Sequence, residues 1–346
     1  MYFSEKIIHW YETNKRDLPW RNTIDPYPIW LSEIMLQQTR VAQGLPYFQK
    51  FIEKFPTIHH LAKADEEEVL KLWQGLGYYS RARNLHATAK KVSNELNGTF
   101  PNNHKDLQSL KGVGKYTAAA IASFCFNEAV AVVDGNVYRV IARFLGIDTP
   151  INSTEGEKLF AEKANLLLDK NNSAIYNQAI MEFGALQCTP NQPNCESCPL
   201  QKKCVAFQQG KQNSLPVKLK KTKVKLKHFN YLIIANQKNE VVLQKRTGSG
   251  IWQHLYEFPL LETDKKQSKD EVSKFFGEVF TLKLWNKKAV THLLSHRKIQ
   301  AYFWIAYVDE FPEIILKNES ILVKKKQIHD LPVPVLLQKF IQQYFE

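Results

Sequence analysis

The sequence contains no apolar run approaching the roughly 18 residues that a membrane-spanning helix needs, so such a helix is excluded. Its first stretch, MYFSEKIIHWYETNKRDLPW, has no apolar core and carries acidic side chains. It therefore indicates neither a secretion signal nor an organelle-import signal, and we expect a cytoplasmic protein. Cysteine is also scarce, with five among 346 residues, and four of the five lie close together between positions 188 and 204.

Acidic residues are too few to balance the basic ones. The chain has 47 Lys and Arg against 34 Asp and Glu, a net charge of +13, which indicates a polyanionic partner. The excess lies mainly in residues 216–346, with 23 basic and 13 acidic side chains, whereas residues 1–215 have 24 and 21. The length, with 44% hydrophobic and 23% charged residues, is typical of a globular protein of two domains.

The apolar pattern divides the chain. Spacings of three and four predict an all-α domain over residues 1–215, with one helix running from Pro28 through PIWLSEIMLQQTRVAQ and others at 42–55, 65–74, 80–96, 115–126, 136–145, 155–168 and 173–186. Residues 216–227 include six lysines within ten positions and are predicted to be a solvated linker. From residue 228 the period changes to two, which predicts an α+β domain over 228–346, with strands at 228–235, 240–246, 289–296 and 299–308 and helices at about 268–280 and 333–345.

A tight turn, Leu110-Lys111-Gly112-Val113-Gly114, joins two helical patterns. Its glycines permit positive φ and close backbone approach, and it leaves unpaired N–H groups at the start of an Ala-rich helix. Such a helix start attracts a phosphate, because the N–H groups and the helix dipole both favour an anion. Further on, Val133-Asp134-Gly135-Asn136 interrupts the helical pattern, where Asp134 is either a simple helix cap or a functional carboxylate.

Cys188, Cys195, Cys198 and Cys204 follow the spacing C-x6-C-x2-C-x5-C. In a chain without an export signal, clustered cysteines favour metal ligation over disulfides. Four thiolates suit either zinc or an iron–sulfur cluster, and their chemistry alone does not choose between the two. The fifth cysteine, Cys125, lies in the Ala-rich helix and is interpreted as a core residue.

Glu33 lies in the segment WLSEIMLQQT. At about 100° per residue, it points into the apolar stripe that includes Ile29 and Leu36. A carboxyl group there should have a pKa raised by desolvation, as a general acid working near neutral pH requires. The alternative is a glutamate at the edge of the stripe whose carboxylate reaches solvent.

These motifs together resemble the MutY-type adenine DNA glycosylases of the helix-hairpin-helix superfamily. WLSEIMLQQT is similar to their catalytic helix, and the Gly-Val-Gly turn followed by VDGN is similar to their hairpin. The cysteine spacing is similar to that of the iron–sulfur loop in endonuclease III and its relatives. The resemblance implies an endonuclease III-like helical domain with a 4Fe–4S cluster loop at 186–206, held by the four clustered cysteines, and then a Nudix-like domain.

The resemblance also implies a mechanism. Glu33 would protonate the adenine at N7 and later handle the water, while Asp134 would stabilise the oxocarbenium-like sugar, with Tyr116 and Asn136 beside the two carboxyl groups. Related bifunctional enzymes have a lysine at the position of Tyr116, which forms a Schiff base with the sugar. Tyrosine cannot do so, which implies a monofunctional enzyme without lyase activity.

Base excision requires the nucleotide to be flipped out of the stack, and further residues are implied for that step. Gln38 and Tyr78 stand where the family places its intercalating side chains, with Thr39 and Leu76 beside the orphaned base. The residues implied to line the adenine pocket are Arg16, Trp20, Arg21, Leu36 and Gln178. Gly112 and Gly114 would contact the DNA backbone.

In the family, the Nudix-like domain reads 8-oxoguanine opposite the adenine. The Phe-Ser-His reading tip of the family stands here as Leu294-Ser295-His296, so the serine and histidine are kept and the aromatic ring is lost. The alternative is a plain turn at the end of a strand. A Nudix box is missing, and Gly250-Ile251-Trp252 with Glu257 cannot assemble its metal site, so pyrophosphohydrolase activity is rejected.

The sequence therefore predicts a monomeric, monofunctional adenine DNA glycosylase, acting on double-stranded DNA with A:8-oxoguanine or A:G mispairs in a bacterial-type nucleoid and without membrane association. Two alternatives stay open, a thymine or pyrimidine glycosylase of the same superfamily and a non-catalytic DNA-scanning module. The pair Glu33 and Asp134 argues against the scanning module, because binding alone does not require a buried acid.

Overall fold

The computed structural model describes residues 2–219, 224–316 and 319–345. These residues divide into two compact units. One unit comprises residues 2–63 and 84–219, and the other comprises residues 64–83 with 224–316 and 319–345. The division differs from the predicted boundary, because a segment from the middle of the predicted helical domain clusters with the C-terminal part of the chain.

The N-terminal half of the chain is helical, as predicted. Its helices are α1 Tyr2–Asn14, α2 Pro26–Leu36, α3 Val41–Lys54, α4 Ile58–Lys63, α5 Glu66–Leu72, α6 Ser80–Glu95, α7 His104–Leu107, α8 Lys115–Phe126, α9 Gly135–Leu145, α10 Thr154–Leu167, α11 Ser173–Leu186 and α12 Val205–Gln208, with short 3-10 turns at Pro19–Arg21 and Gln201–Lys203. Of these, α5 and the start of α6 lie in the second unit.

The predicted continuous helix from Pro28 to position 43 is wrong. The structure ends α2 at Leu36 and begins α3 at Val41. Between them Gln38 has a φ of +57°, a left-handed conformation that a right-handed helix cannot include. The apolar spacing continues across the break, so periodicity alone could not reveal it.

Helix α2 is buried around its whole circumference. Its side chains from Ile29 to Met35 are all buried, including Ser32 and Glu33. The stripe expected from helical periodicity is therefore part of a fully enclosed helix, and Glu33 cannot reach bulk solvent by extending past an exposed edge. A second core lies where α1, α9, α10 and α11 meet, with Ile7, Ile141, Phe160 and Ile180 almost fully buried.

The C-terminal part forms a mixed sheet with helices, as the predicted α+β domain requires. Its strands are β1 Lys225–Asn236, β2 Glu240–Lys245, β3 Tyr256–Glu257, β4 Leu260–Thr263, β5 Lys283–Leu284, β6 Val290–Leu293, β7 Arg297–Val308 and β8 Ser320–Lys324, with α13 Lys269–Phe275, a 3-10 turn at Lys325–Asp330 and α14 Val335–Phe345. The central order is β3-β2-β1-β7-β5, with β4 beside β1, β6 beside β7 and β8 beside β2. Strands β1 and β7 run parallel, with Tyr231 opposite Phe303.

The two faces of this sheet are covered by different helices because successive strand residues point to opposite sides. Tyr302 and Trp304 of β7 share a core with Val272 of α13. The intervening Phe303 stacks on Phe340 of α14, with 4.1 Å between the ring centroids. The result is a sheet between two helices.

The predicted linker is short in the structure. Val217 O accepts a hydrogen bond from Ile151 N at 3.0 Å, so the first linker residues continue the helical unit. Residues 225–227 already belong to β1. Positions 220–223 of the predicted linker lie outside the described residues. Across the described ranges, no helix combines the length and apolarity needed to cross a membrane.

Candidate active site

Glu33 is a buried acid on α2. Its side chain accepts a 2.7 Å hydrogen bond from the Tyr116 hydroxyl on α8, and only 6% of the residue is exposed. Burial raises the pKa of Glu33 to about 7, since desolvation penalises the carboxylate more than the Tyr116 hydrogen bond favours it. The nearby charge of Asp134 adds to this rise in pKa. The raised pKa expected from the apolar stripe is confirmed.

Asp134 is both a helix cap and a carboxylate of the same site. It is the N-cap of α9, and its Oδ1 accepts hydrogen bonds from the backbone N–H groups of Asn136 and Val137, both at 2.8 Å. The Asn136 side-chain amide donates to Asp134 Oδ2 at 2.7 Å. Burial raises the pKa of Asp134, although these hydrogen bonds oppose the rise.

The segment that leads to Asp134 is held by a buried amide on α11. Asn177 Oδ1 accepts from Val132 N at 3.0 Å, and Asn177 Nδ2 donates to Val130 O at 2.8 Å. Because Asn177 is fully buried, this pairing fixes the position of the irregular segment before α9. Asp134 is thus positioned from both sides, by its own cap and by α11.

The two carboxyl groups line one cavity of about 630 Å³ within the first unit. The cavity also collects the residues that the sequence assigned to catalysis and to the adenine pocket, namely Arg16, Trp20, Arg21, Leu36, Tyr116, Asn136 and Gln178. Thr39, which the sequence assigned to the orphaned base, lines the same cavity. Residues from distant parts of the chain therefore meet at one site. Gln178 lies at the wall, where its Oε1 accepts a 2.8 Å hydrogen bond from the Tyr11 hydroxyl.

Glu182 is a cavity residue that the sequence reasoning missed. It lies one helical turn after Gln178 on α11, so the i,i+4 spacing was the available signal. Arg16 and Arg21 each donate two side-chain hydrogen bonds to its carboxylate, at 2.6 to 2.9 Å. Burial acts to raise the pKa of Glu182, but these hydrogen bonds outweigh it and lower the pKa to about 2. Glu182 therefore stays ionised and aligns both arginines.

The turn before α8 has one glycine in the left-handed region. Gly112 has a φ of +80°, and a Cβ there would come within 2.8 Å of the Asn84 Cβ. The expectation of positive φ is wrong for Gly114, the N-cap of α8, which has extended backbone at φ −84° and ψ 178°. A Cβ at Gly114 would meet nothing within 4 Å, so this glycine opens the start of α8 to a ligand.

Cys188, Cys198 and Cys204 pack against the edge of the helical core, and none of the four clustered cysteines forms a disulfide. Burial raises the pKa of the Cys198 thiol to about 11, and the neighbouring thiols of Cys188, Cys204 and Cys195 add to the rise. Among the described residues, no three His, Cys, Asp or Glu side chains meet the geometry for holding one metal ion. Four thiols within one short loop are a donor set that suits a thiolate-held metal group.

Two arginines join the cysteine loop to α9. Arg143 Nη1 donates to Cys188 Sγ at 3.3 Å and to Thr189 O at 2.7 Å. Arg139 donates to Cys188 O at 2.7 Å and to the Asn136 side-chain oxygen at 2.9 Å. Since Asn136 holds Asp134, the cysteine loop supports the site through a chain of hydrogen bonds.

The expected intercalating residues share an unusual backbone conformation. Gln38 and Tyr78 have φ of +57° and +49°, which is unfavourable for residues with a Cβ. Gln38 is exposed, and Tyr78 is 45% exposed, whereas the Leu76 side chain is only 5% exposed. The turn at residues 75–78 therefore exposes the Tyr78 side chain to solvent, whereas the Leu76 side chain is buried.

The second unit contains its own cavity of about 610 Å³ beside this turn. Its walls include Gly77, Tyr78, Leu294, Ser295 and His296. Ser295 and His296 lie in the turn between β6 and β7, closed by a 2.8 Å hydrogen bond from Leu294 N to Arg297 O. The Ser295 and Tyr78 hydroxyls are 2.6 Å apart. The sequence assigned Tyr78 to intercalation and Ser295 to lesion reading, and the structure brings these two side chains into contact.

The remaining acidic residue considered for Nudix chemistry has a structural partner. Glu257 is buried, with 7% of the residue exposed, and accepts hydrogen bonds from Arg246 Nη1 at 2.7 and 2.8 Å. The Tyr231 hydroxyl donates to it at 3.3 Å. Its carboxylate is thus paired with the partly buried Arg246 guanidinium.

Comparison with known proteins matches two parts of the chain to families. Residues 31–165 match the HhH-GPD superfamily of base excision DNA repair proteins, and residues 230–343 match the NUDIX domain family. The chain is 32% identical to the adenine DNA glycosylase of Buchnera aphidicola subsp. Schizaphis graminum, covering 98% of both chains. It is 34% identical to the adenine DNA glycosylase of Mus musculus, covering 90% of this chain and 71% of that protein.

Solved structures show the same fold in the helical part. A thermostable thymine-DNA glycosylase matches with a TM-score of 0.55 and 34% identity, over 60% of this chain and 95% of that one. This chain therefore belongs to the adenine DNA glycosylase family of the helix-hairpin-helix superfamily.

Proposed function

We propose that this chain hydrolyses the N-glycosyl bond of adenine paired with 8-oxoguanine or with guanine in double-stranded DNA. The observation that carries the proposal is the pairing of Glu33, with a pKa of about 7, and Asp134 in one cavity. A glycosylase needs an acid for the leaving base and an anion for the sugar cation. The two carboxyl groups supply both within one cavity.

In the proposed reaction, protonated Glu33 donates its proton to N7 of the flipped adenine. The bond between the base and C1′ then breaks, and the electron pair leaves with adenine. Ionised Asp134 stabilises the positive charge that develops on the sugar, and Asn136 keeps its carboxylate oriented through their 2.7 Å hydrogen bond. The Glu33 carboxylate next accepts a proton from water as the water adds to C1′, which restores the acid.

We propose that the reaction is monofunctional. Tyr116 stands next to Glu33, and its hydroxyl donates to the acid at 2.7 Å rather than offering an amine to the sugar. Among the described residues that line the cavity there are arginines but no lysine. Because an arginine stays protonated and does not form a Schiff base, the abasic strand should stay intact.

Three surfaces would engage the DNA. The open start of α8 at Gly114, after Gly112, would hold a backbone phosphate through N–H groups and the helix dipole. Gln38 and Tyr78, held in left-handed conformations, would fill the space left by the flipped nucleotide. Thr39 and the backbone near Leu76 would lie beside the orphaned base. We further propose that the protein acts as a monomer in the cytoplasm, at the nucleoid.

The assay that tests this function measures free base released from A:8-oxoguanine, A:G and T:G duplexes. Release of adenine from the first two supports the proposal. Release of thymine would favour the thymine-glycosylase alternative, and binding without any release would favour the scanning module. Strand nicking that borohydride traps as a covalent complex would contradict the monofunctional mechanism.

We propose that Cys188, Cys195, Cys198 and Cys204 hold a 4Fe–4S cluster, which would fix the loop that supports Arg139 and Arg143. Purified protein should then contain about four irons per chain with little zinc. Cys198→Ser should lose iron and DNA binding. Cys125→Ser is the matched control and should keep its iron, because Cys125 lies on α8 outside the loop. One zinc per chain would contradict the assignment.

We propose that Ser295 and His296 read 8-oxoguanine. The lesion differs from guanine by an oxygen at C8 and a proton at N7, which a hydroxyl can recognise as acceptor and donor. The double change Ser295→Ala with His296→Ala should reduce excision opposite 8-oxoguanine by about ten- to a hundredfold. Excision opposite guanine should change little, since guanine lacks both groups.

This selectivity is measured as single-turnover excision on both duplexes at one fixed salt concentration, because backbone contacts are salt-dependent. Equal loss on both duplexes would show that these side chains only add affinity for DNA.

A further inference from the structure

The turn that carries Tyr78 belongs to the second unit, although its neighbours in sequence are helices of the first. Residues 64–83 pack with residues 224–316 and 319–345. Within the turn, Gly75, Gly77 and Tyr78 have φ of +109°, +76° and +49°. Left-handed backbone is unfavourable for tyrosine, so it persists only when surrounding contacts hold it.

The segment before the turn is attached through the first turn of α5. Glu67 Oε1 accepts from Lys245 Nζ at 2.6 Å and from the Tyr256 hydroxyl at 2.7 Å. Lys245 and Tyr256 are paired in register on β2 and β3, so one sheet edge presents both donors to this carboxylate. Next to it, Glu66 Oε1 lies 2.5 Å from His254 Nδ1.

Further contacts flank the turn on both sides. Lys71 Nζ donates to the carbonyls of His329 and Leu331, the latter at 3.2 Å. After the turn, Arg83 donates to the Gln253 backbone carbonyl at 2.8 Å and to its side-chain oxygen at 3.0 Å. The Tyr78 turn is therefore clamped at α5 and again at Arg83 by residues of the C-terminal part.

We propose that the C-terminal part positions Tyr78, the side chain that would fill the space left by the flipped nucleotide. Lys245 and Tyr256 are positioning residues that act through Glu67, and Gln253 is one that acts through Arg83. The inference rests on the proposed function and deepens it. Together these five residues form what we call the clamp. Only Arg83 among them lines the cavity that contains Ser295, so most of the clamp lies outside the lesion-reading site. The clamp should therefore serve mispairs with 8-oxoguanine and with guanine alike.

The effect on both mispairs distinguishes the role of the clamp from lesion reading. Loss of Ser295 should affect one mispair, whereas loss of the clamp should affect both. Removing the whole C-terminal part would abolish the two roles together, so point substitutions are the informative change. Lys245→Met with Tyr256→Phe removes both donors to Glu67 while keeping the size of each side chain.

The test uses 2-aminopurine in place of the target adenine, in a Glu33→Gln background, so that flipping is read by fluorescence without excision. The clamp variant should lower the flipping equilibrium by about tenfold or more on duplexes with either opposite base, since small errors of placement are costly. Lys245→Arg should restore flipping, because it keeps the charged donor. The matched control is Lys324→Met, which breaks an ion pair with Glu240 on the same sheet at 2.9 Å.

The outcomes are distinct. Unchanged flipping in the clamp variant, a loss confined to the 8-oxoguanine duplex, or an equal loss in the Lys324→Met control would each overturn the proposal. Failure of the unsubstituted protein to release adenine would contradict the proposed function instead, and it would leave the fluorescence result intact as evidence on the clamp.

Discussion

Glu33→Gln is expected to abolish adenine release while preserving tight binding to the mispair. The amide keeps the shape of the side chain and can accept the Tyr116 hydrogen bond, but it has no proton to give to N7. The measurement is single-turnover excision, with the dissociation constant for the same duplex determined alongside. Excision near the unsubstituted rate would remove Glu33 from the mechanism.

The pH dependence of the unsubstituted protein provides a companion result. Only protonated Glu33 acts as the acid, so the single-turnover rate should fall as the pH rises through about 7. Because burial raises the pKa of Glu33 to about 7 from its ordinary value of 4.5, ionising Glu33 in the folded protein costs stability. This loss of stability is absent when the pH is below the pKa of Glu33 in the unfolded chain, and it is complete when the pH is above the pKa of Glu33 in the folded protein.

Glu33→Gln should therefore leave the protein at least as stable as the unsubstituted form, with a gain of up to about 3 kcal/mol in the free energy of unfolding at alkaline pH. Thermal unfolding at a pH above 7 measures this gain. A variant that is inactive and more stable would show that the loss of activity is chemical. A destabilised variant would show that Glu33 supports the fold.

Asp134→Asn is expected to slow adenine release by several orders of magnitude. Stabilisation of developing charge is commonly the largest single contribution of an enzyme, and the substitution removes the negative charge near the sugar. Asparagine is also a good N-cap, so it can still accept from the N–H groups of Asn136 and Val137. The fold should persist, and single-turnover excision isolates the effect of the charge.

Asp25→Asn is the matched control for this substitution. Asp25 caps α2 by accepting from Tyr27 N at 2.9 Å, in the same unit but outside the cavity. It should leave the excision rate nearly unchanged. If Asp134→Asn slows the reaction by less than about tenfold, or roughly 1.4 kcal/mol, Asp134 is a cap and not a catalytic residue.

The local features of the fold and site could be predicted from the sequence. The change of period from three and four to two predicted the helical and α+β parts, because it reports which side chains face a core. The same reasoning placed Glu33 in an apolar environment and predicted its raised pKa. The four cysteines could be recognised as a candidate metal-binding set because their spacing lies within a short stretch of chain.

Features that depend on distant partners could not be predicted. Glu182 binds Arg16 across 166 positions of sequence, and no local pattern reports such a pair. The break at Gln38 interrupts an apolar spacing that itself continues, and Gly114 takes an extended backbone where positive φ was expected. These details depend on what each backbone segment meets in three dimensions.

The sequence by itself determined the classes of secondary structure, the two candidate carboxyl groups and the cysteine spacing, because each depends on residues a few positions apart. Only the tertiary structure decided that α2 is enclosed on all sides and that the arginines pair with Glu182. It also decided that residues 64–83 belong with the C-terminal part. The physical reason is that periodicity records how apolar a face is, whereas the identity of the surface that covers the face is set by long-range packing.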